Sequence, residues 1–492
     1  MGETIHEVQV VTERAFLLTR LAFTLLNYMG VGWRWVTKLF QMLTFVVLLL
    51  PAFLEILFWL LRDDNVLLNV RYGPESRNSL DIYKPTEKGK ALLPKEKTKN
   101  GVPVIVFLSG GAWIIGYKCW GALMGKEFSE HGVMFVTPDY RNFPQGRIVD
   151  MLEDVNVAIR WIFKNIHRYG GDPNQIFLVG QSAGAHIGAL CLLTEAERER
   201  RHKLAKEERS LSRTSEPSYT GAAYQTKHSE ASGVWNGYRH DFREKDDRLR
   251  WRVSKVKGYI GISGAYDLAG LANYLHTRGL YRSVLSSILA HDMSFYSPAR
   301  RVLLPQFNPD LKLAINSFIP PITLFHGTAD QSIPYSATTD FASALRTAGI
   351  HAHVKYYVNK SHTDPIIEDP IGGGYDKLVM DIFSIVISGG DLCRNNPCMP
   401  EKDSPKTPTR TANASFKDLS EAGSKNAMPS TLTSDHEKQN MHRMEQVIEN
   451  RLQTDRPSSP CANVDPTQFG FEPTEPMLPE WVINYARAVN PF

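Results

Sequence analysis

The apolar positions of this chain fall into two regimes. Near the N-terminus they form long runs, and residues 15–33 are apolar except for Arg20 and Asn27. Leu39–Leu61 is interrupted only by Gln41, Thr44, Pro51 and Glu55. As a helix the second run is long enough to cross a bilayer, which takes about 20 residues. It is too long and too far into the chain for a secretory signal, and it has no small-residue cleavage site. A pair of spans (15–33 and 39–61), or a hairpin bent at Pro51, returns the chain to its starting side. A single span carries it across, and Arg14, Arg20, Arg34 and Lys38 then place the N-terminus in the cytosol. A buried core helix is the competing reading. The return topology is preferred.

Beyond residue 65 the pattern changes to short runs. Val70–Gly73 and Ser79–Pro85 alternate with period two, as antiparallel strands at a sheet edge do. Thr86–Gly101 is Lys-rich and reads as a solvated loop. A continuous apolar strand is predicted at Val102–Leu108, and further strands at Val133–Thr137, Gln175–Val179, Val256–Ile262, Pro321–Phe325 and 353–358. Helical segments lie between or after them at Gly121–His131, Val149–Tyr169, after Ser182, and near 336–348 and 373–388. Such alternation predicts an α/β fold, with a mostly parallel sheet covered by helices on both faces.

Two stretches break the rhythm. Residues 195–250 are rich in mixed charge and read as a mobile insertion, a solvated loop more readily than a lid. Residues 393–476 are rich in Ser, Thr, Pro and Lys and read as a disordered linker, with Ser404, Thr407 and Ser459 before prolines as phosphorylation candidates. Residues 477–492 then form an amphipathic helix that places Trp481, Val482, Tyr485, Ala486 and Val489 on one face. That helix is expected to dock on the body or the membrane. The organisation is therefore an anchor over 1–65, a catalytic domain over 66–392 containing the insertion, the linker, and the terminal helix.

A net charge of +4 over 492 residues gives no support for nucleic-acid binding. The cysteines at 119, 191, 393, 398 and 461 are odd in number and widely spaced, which points to a reducing compartment rather than a disulfide framework. Cys393 and Cys398 have no partners at zinc spacing, so neither metal nor cofactor is expected.

The chemistry is carried by Gly180-Gln181-Ser182-Ala183-Gly184, which sits between a buried strand and a helix. A tight strand-to-helix turn exposes a serine as nucleophile, and the helix N-terminus and the N–H of Ala183 face a developing oxyanion. In α/β-hydrolases the acid and the histidine follow the serine in that order. Asp330, in the loop after the strand Ile322–Phe325, fits the acid better than Asp267 or Asp310. His362, in the loop after the last strand, fits the base. His186, one turn below Ser182, and His326, before a glycine turn, are explained by packing. Gly110 and Gly111, in the loop after the strand Val102–Leu108, free backbone N–H groups to complete the oxyanion hole, with Ala112 next to them. Asn359-Lys360-Ser361 is a glycosylation sequon, but a glycan there would crowd His362, which again favours a cytosolic face.

The segments 109–118, 139–146, 170–174, 180–186, 278–283 and 361–364 together resemble the isoprenylcysteine α-carbonyl methylesterases. The likeness extends through the apolar segment to residue 61 and includes the closing residues 489–492. It implies an α/β-hydrolase whose triad is Ser182, Asp330 and His362, with Gly110, Gly111 and Ala183 as oxyanion donors and Ala112 and Gln181 lining the site. The implied substrate is the methyl ester of a prenylated C-terminal cysteine, free or on a protein, at endoplasmic reticulum and Golgi membranes. The sequence departs from the wider hydrolase class at Ser109, where that class has histidine. Residues 267–296 are expected either to wall a prenyl site or to pack as ordinary helices, with Arg278 and Arg282 as candidates to meet a substrate carboxyl or carbonyl. A kynurenine formamidase-like hydrolase is the alternative activity, and a non-catalytic membrane scaffold the third reading. The long apolar segment disfavours the formamidase, because a soluble formamide gives no reason for it.

Overall fold

The computed structural model describes residues 33–214, 251–277, 282–307, 315–390 and 471–490. The apolar run 15–33 lies almost wholly outside them, as do Arg278, Asp310 and the linker up to residue 470.

Eight strands form one sheet: β1 (Val66–Arg71), β2 (Ser79–Tyr83), β3 (Val102–Leu108), β4 (Met134–Pro138), β5 (Gly171–Gln181), β6 (Val256–Ile262), β7 (Ile322–Gly327) and β8 (Ala352–Tyr357). Their order is β1-β2-β4-β3-β5-β6-β7-β8. β2 pairs antiparallel with both β1 and β4, and every other pairing is parallel. The continuous apolar runs of β3 and β4 are buried throughout, as expected of strands covered on both faces. Side chains alternate between two cores. Val104, Val106, Ile176 and Leu178 join one, and Ile105, Phe107, Phe177 and Val179 join the other. The fold is α/β-hydrolase.

The apolar N-terminal segment forms α1 (Trp33–Arg62), an unbroken helix with Pro51 inside it, so the hairpin bent at Pro51 is not formed. Among the described residues, one helix, Leu39–Arg62, is long and apolar enough to cross a membrane. Its two sides differ. Phe45, Leu49, Ala52, Ile56 and Leu60 are buried in the second core, and Trp59 stacks on Tyr83 at 6.0 Å. Phe40, Leu43, Val47, Leu50, Leu54, Leu57 and Leu61 form the exposed side. Contacts on one face distinguish this helix from a free-standing span. Leu49→Ala is therefore expected to destabilise the detergent-solubilised chain by about 2–5 kcal/mol. Leu50→Ala, on the exposed side, should leave the denaturation midpoint nearly unchanged, and equal effects would show that α1 stands apart from the body.

The other α-helices of seven or more residues among the described residues are α2 (Ala122–Glu130), α3 (Ile148–Asn165), α4 (Ala183–Thr214), α5 (Leu268–Thr277), α6 (Arg282–Ile288), α7 (Ser336–Thr347), α8 (Lys377–Ser388) and α9 (Glu480–Val489). Four further expectations are corrected. Residues 195–214, read as the start of the insertion, continue α4, and the charges of its stretch 195–199 turn inward. Arg198 pairs with buried Glu195, Arg301 pairs with Glu197 at 3.0 Å, and Glu199 accepts from the Ser254 hydroxyl at 2.6 Å. Residues 86–101, read as a solvated loop, hold two short helices, the first capped by Thr86, which accepts from the Gly89 N–H at 3.0 Å.

The linker also ends earlier than residue 476, since Phe471 is buried against His131 (3.8 Å between ring centres) and Phe383. On α9 the buried positions are Ile483 and Ala486, whereas Trp481 and Tyr485 are 71% and 56% exposed. Of the inferred apolar face, Trp481 and Tyr485 thus turn outward, whereas Ala486 is buried and Val482 and Val489 pack against the second core, and α9 packs along α1.

Candidate active site

Three loops at the C-terminal ends of parallel strands build the site. β5 ends at Gln181 and α4 starts at Ala183, so Ser182 alone makes the turn, at φ 55°. This left-handed conformation costs a non-glycine residue about 1–3 kcal/mol. Two backbone bonds hold it: the Ser182 N–H donates to the Ile262 carbonyl at 2.8 Å, and the His186 N–H donates to the Ser182 carbonyl at 3.1 Å. The turn also requires glycine at 184, where a Cβ would lie 2.0 Å from the Leu108 carbonyl oxygen.

His362 reaches in from the loop after β8. Its Nε2 lies 2.8 Å from Ser182 Oγ and its Nδ1 lies 2.6 Å from Asp330 Oδ2. Asp330 follows β7, and its other oxygen accepts from the Ser332 and Ile333 N–H groups at 2.8 and 2.9 Å. Burial pushes the Asp330 pKa up, but the charge of His362 and hydrogen bonds from His326 and His362 more than reverse this, so its carboxyl sits well below the usual range. His326 lies 3.1 Å from Asp330 Oδ2 and also bonds Ile333 O and Thr338 Oγ1. It steadies the acid and has no contact with Ser182 among these bonds. Asp267 instead accepts from the Gly270 N–H and the Arg300 side chain.

The loop after β3 closes over the serine. A Cβ on Gly110 would come within 2.0 Å of Gln181 Oε1 and 2.9 Å of Ser182 Cβ, so only a glycine lets the backbone approach. Gly111, Ala112 and Trp113 then have φ of 124°, 51° and 62°. Ala112 is exposed, whereas Gln181 is buried with Nε2 3.4 Å from His362 Nε2. Ala183 heads α4, where first-turn N–H groups lack intrahelical acceptors.

The supports of this loop went unread in the sequence. The Trp113 indole N–H donates to His186 Nδ1 at 3.1 Å, Tyr140 donates to the Ser109 carbonyl at 2.7 Å, and Arg77 and Asn142 both donate to the Gly116 carbonyl. Their only signal was that several fall within motifs of the family resemblance. Among the described residues no cluster of His, Cys, Asp and Glu could hold a metal ion, and Cys119 and Cys191 are in no disulfide. In the cap, Leu271, Val284, Leu285 and Ile288 are buried in the first core, which favours ordinary packing for those side chains, and Arg282 is exposed.

His186 gives a pH-dependent prediction. Its Nε2–H donates to the Tyr296 carbonyl at 2.7 Å, and burial pushes its pKa down to about 4, with that bond as a partial offset. Because the folded value lies below the ordinary 6.5, the unfolded chain takes up this proton first as pH falls. Its stabilisation is complete above about pH 6.5 and is lost toward pH 4, a change of about 3 kcal/mol. Glu368 and Asp376, pushed up to about 7 by burial, act with the opposite sign, gaining stability as pH falls. Comparison with His186→Gln isolates the histidine. Between about pH 7 and about pH 4.5 the wild-type denaturation midpoint should fall further than that of the variant. Parallel pH curves would refute this.

The BD-FAE family model matches residues 80–345. A probable isoprenylcysteine alpha-carbonyl methylesterase of Oryza sativa subsp. japonica is 38% identical over 386 residues, covering 77% of this chain and 78% of the relative. The isoprenylcysteine alpha-carbonyl methylesterase of Arabidopsis thaliana is 38% identical over 374 residues, covering 75% and 74%. The chain belongs to the isoprenylcysteine alpha-carbonyl methylesterase family. As a member of it, the chain is a carboxylic ester hydrolase. Among solved structures it is similar to the apo form of Thermogutta terrifontis esterase 2, with 20% identity, a TM-score of 0.40, and coverage of 67% of this chain and 93% of that one.

Proposed function

We propose that this esterase hydrolyses the methyl ester of C-terminal prenylcysteine, reversing carboxyl methylation of prenylated proteins. The observation that carries the mechanism is the unbroken contact from Ser182 Oγ through His362 to Asp330, at 2.8 and 2.6 Å. In this reading His362 Nε2 takes the Ser182 proton as Oγ attacks the ester carbonyl. Asp330 holds the Nδ1–H tautomer and stabilises the imidazolium. The oxyanion meets the N–H groups of Gly110, Gly111 and Ala183, each such donor contributing roughly two to three orders of magnitude. Collapse breaks the ester C–O bond, and His362 gives its proton to the departing methanol. Water, deprotonated by His362, then attacks the acyl-enzyme and releases the prenylcysteine carboxylate and Ser182.

The prenyl assignment is supported by the names of the relatives and by apolar surface beside the site. The loop bearing Gly110 and Gly111 passes exposed Ile115 and Tyr117 to Trp120, whose ring meets Phe53 of α1 edge-on at 6.4 Å. In this reading a lipid-borne substrate approaches this loop from the outer side of α1. We place the enzyme at endoplasmic reticulum and Golgi membranes, with the catalytic domain in the cytosol, where cysteines odd in number and widely spaced remain reduced. The test offers the purified full chain farnesylcysteine methyl ester and N-formylkynurenine. Methanol release from the first supports the assignment. Turnover of the second alone identifies a formamidase instead.

A further inference from the structure

α9 does more than cover the body. Next to His362, Thr363 and Asp364 each bond to a side chain near the end of this helix, more than a hundred positions away. Arg487 Nε donates to Asp364 Oδ1 at 2.9 Å. Asp364 Oδ2 accepts from the Ser361 N–H at 2.7 Å, so one carboxylate closes the loop around His362 and ties it to Arg487. Arg487 Nη2 also donates to Asp369 at 2.9 Å, and Lys360, on the other side of His362, reaches the same Asp369 oxygen at 2.6 Å. Asn490 Nδ2 donates to Thr363 Oγ1 at 2.7 Å and to Glu368 Oε1 at 2.6 Å, while the Thr363 hydroxyl itself donates to Glu368 at 2.9 Å. Asp364 is buried, so removing Arg487 leaves a buried carboxylate short of its cation. Ile483 and Ala486 seat the helix in the second core.

We propose that α9 is a clamp on the loop carrying the base, with Arg487 and Asn490 as positioning residues that set the distance and angle of His362 to Ser182. The proposal rests on reading His362 as the base. Neither residue touches the reacting atoms. They act by restricting the loop, so their loss leaves Ser182, the oxyanion donors and the substrate surface in place while His362 samples poorer geometry. A displacement of about 1 Å can cost about a hundredfold in rate.

The test uses the full chain in detergent and a p-nitrophenyl ester, with Arg487→Ala, Arg487→Lys, Asn490→Ala, His362→Gln and Tyr485→Ala. Burst amplitude counts competent sites and burst rate reports acylation per site. Arg487→Ala and Asn490→Ala are expected to slow the burst about tenfold to a hundredfold at wild-type amplitude, with KM little changed. Arg487→Lys should recover part of the rate, and Tyr485→Ala, whose side chain points outward, should match wild type. A wild-type burst rate in both Arg487→Ala and Asn490→Ala overturns the clamp. Reduced amplitude at unchanged rate also overturns it, because that marks a helix needed only for folding. A His362→Gln variant that retains its burst refutes the base assignment instead, which separates the two failures.

Discussion

Ser182→Ala is expected to lower methanol release by about six orders of magnitude, the loss found when a serine triad loses its nucleophile. Alanine keeps the Cβ and loses only the hydroxyl, so the turn at φ 55° and its bonds to Ile262 and His186 are retained. The variant should therefore melt like wild type, apart from any small relief at a strained position. What rate remains comes from the oxyanion donors and substrate binding, about three to four orders above water. Methanol release above about one per cent of wild type from Ser182→Ala, with contaminating esterase excluded, would remove Ser182 from the chemistry.

Asp330→Asn is the second large effect, about four orders of magnitude in kcat with KM nearly unchanged. The carboxylate takes the His362 Nδ1–H at 2.6 Å and the two backbone N–H groups of Ser332 and Ile333. An amide offers hydrogens on one side, which sets it against a protonated Nδ1 and favours the tautomer whose Nε2 carries the proton and cannot accept from Ser182. It also removes the charge that stabilises the imidazolium. Asp267→Asn should change little, since Asp267 is engaged with Gly270 and Arg300. A near-normal kcat in Asp330→Asn would show that the carboxylate is not the orienting group.

Much of the fold and the three central side chains could be read along the chain, because each of the three follows a strand, buried throughout at β7 and partly buried at β8. The motif Gly180–Gly184 selected Ser182, and the order of the elements after it selected Asp330 and His362, which the sheet brings to the same ends of β5, β7 and β8. Four features escaped for physical reasons. Glu195, Arg198 and Glu199 look like a solvated insertion, yet they pair within the fold, and charge patterning cannot tell an inward ion pair from an exposed one. Pro51 reads as a break, but α1 passes through it with one face packed on the body. The clamp joins Arg487 to Asp364 across 123 positions, a pairing that leaves no periodic trace. On α9 the predicted face held Trp481, Tyr485 and Ala486, yet of these only Ala486 is buried, beside Ile483, which lay outside that face.

The most direct measurement is covalent capture of the nucleophile. The full chain in detergent is treated with a fluorophosphonate and digested, and the modified residue is located by mass spectrometry. The account predicts a single phosphonylated residue, Ser182, with labelling strongly slowed in His362→Gln and in Asp330→Asn. A label on another serine, or His362→Gln labelled as fast as wild type, would contradict it.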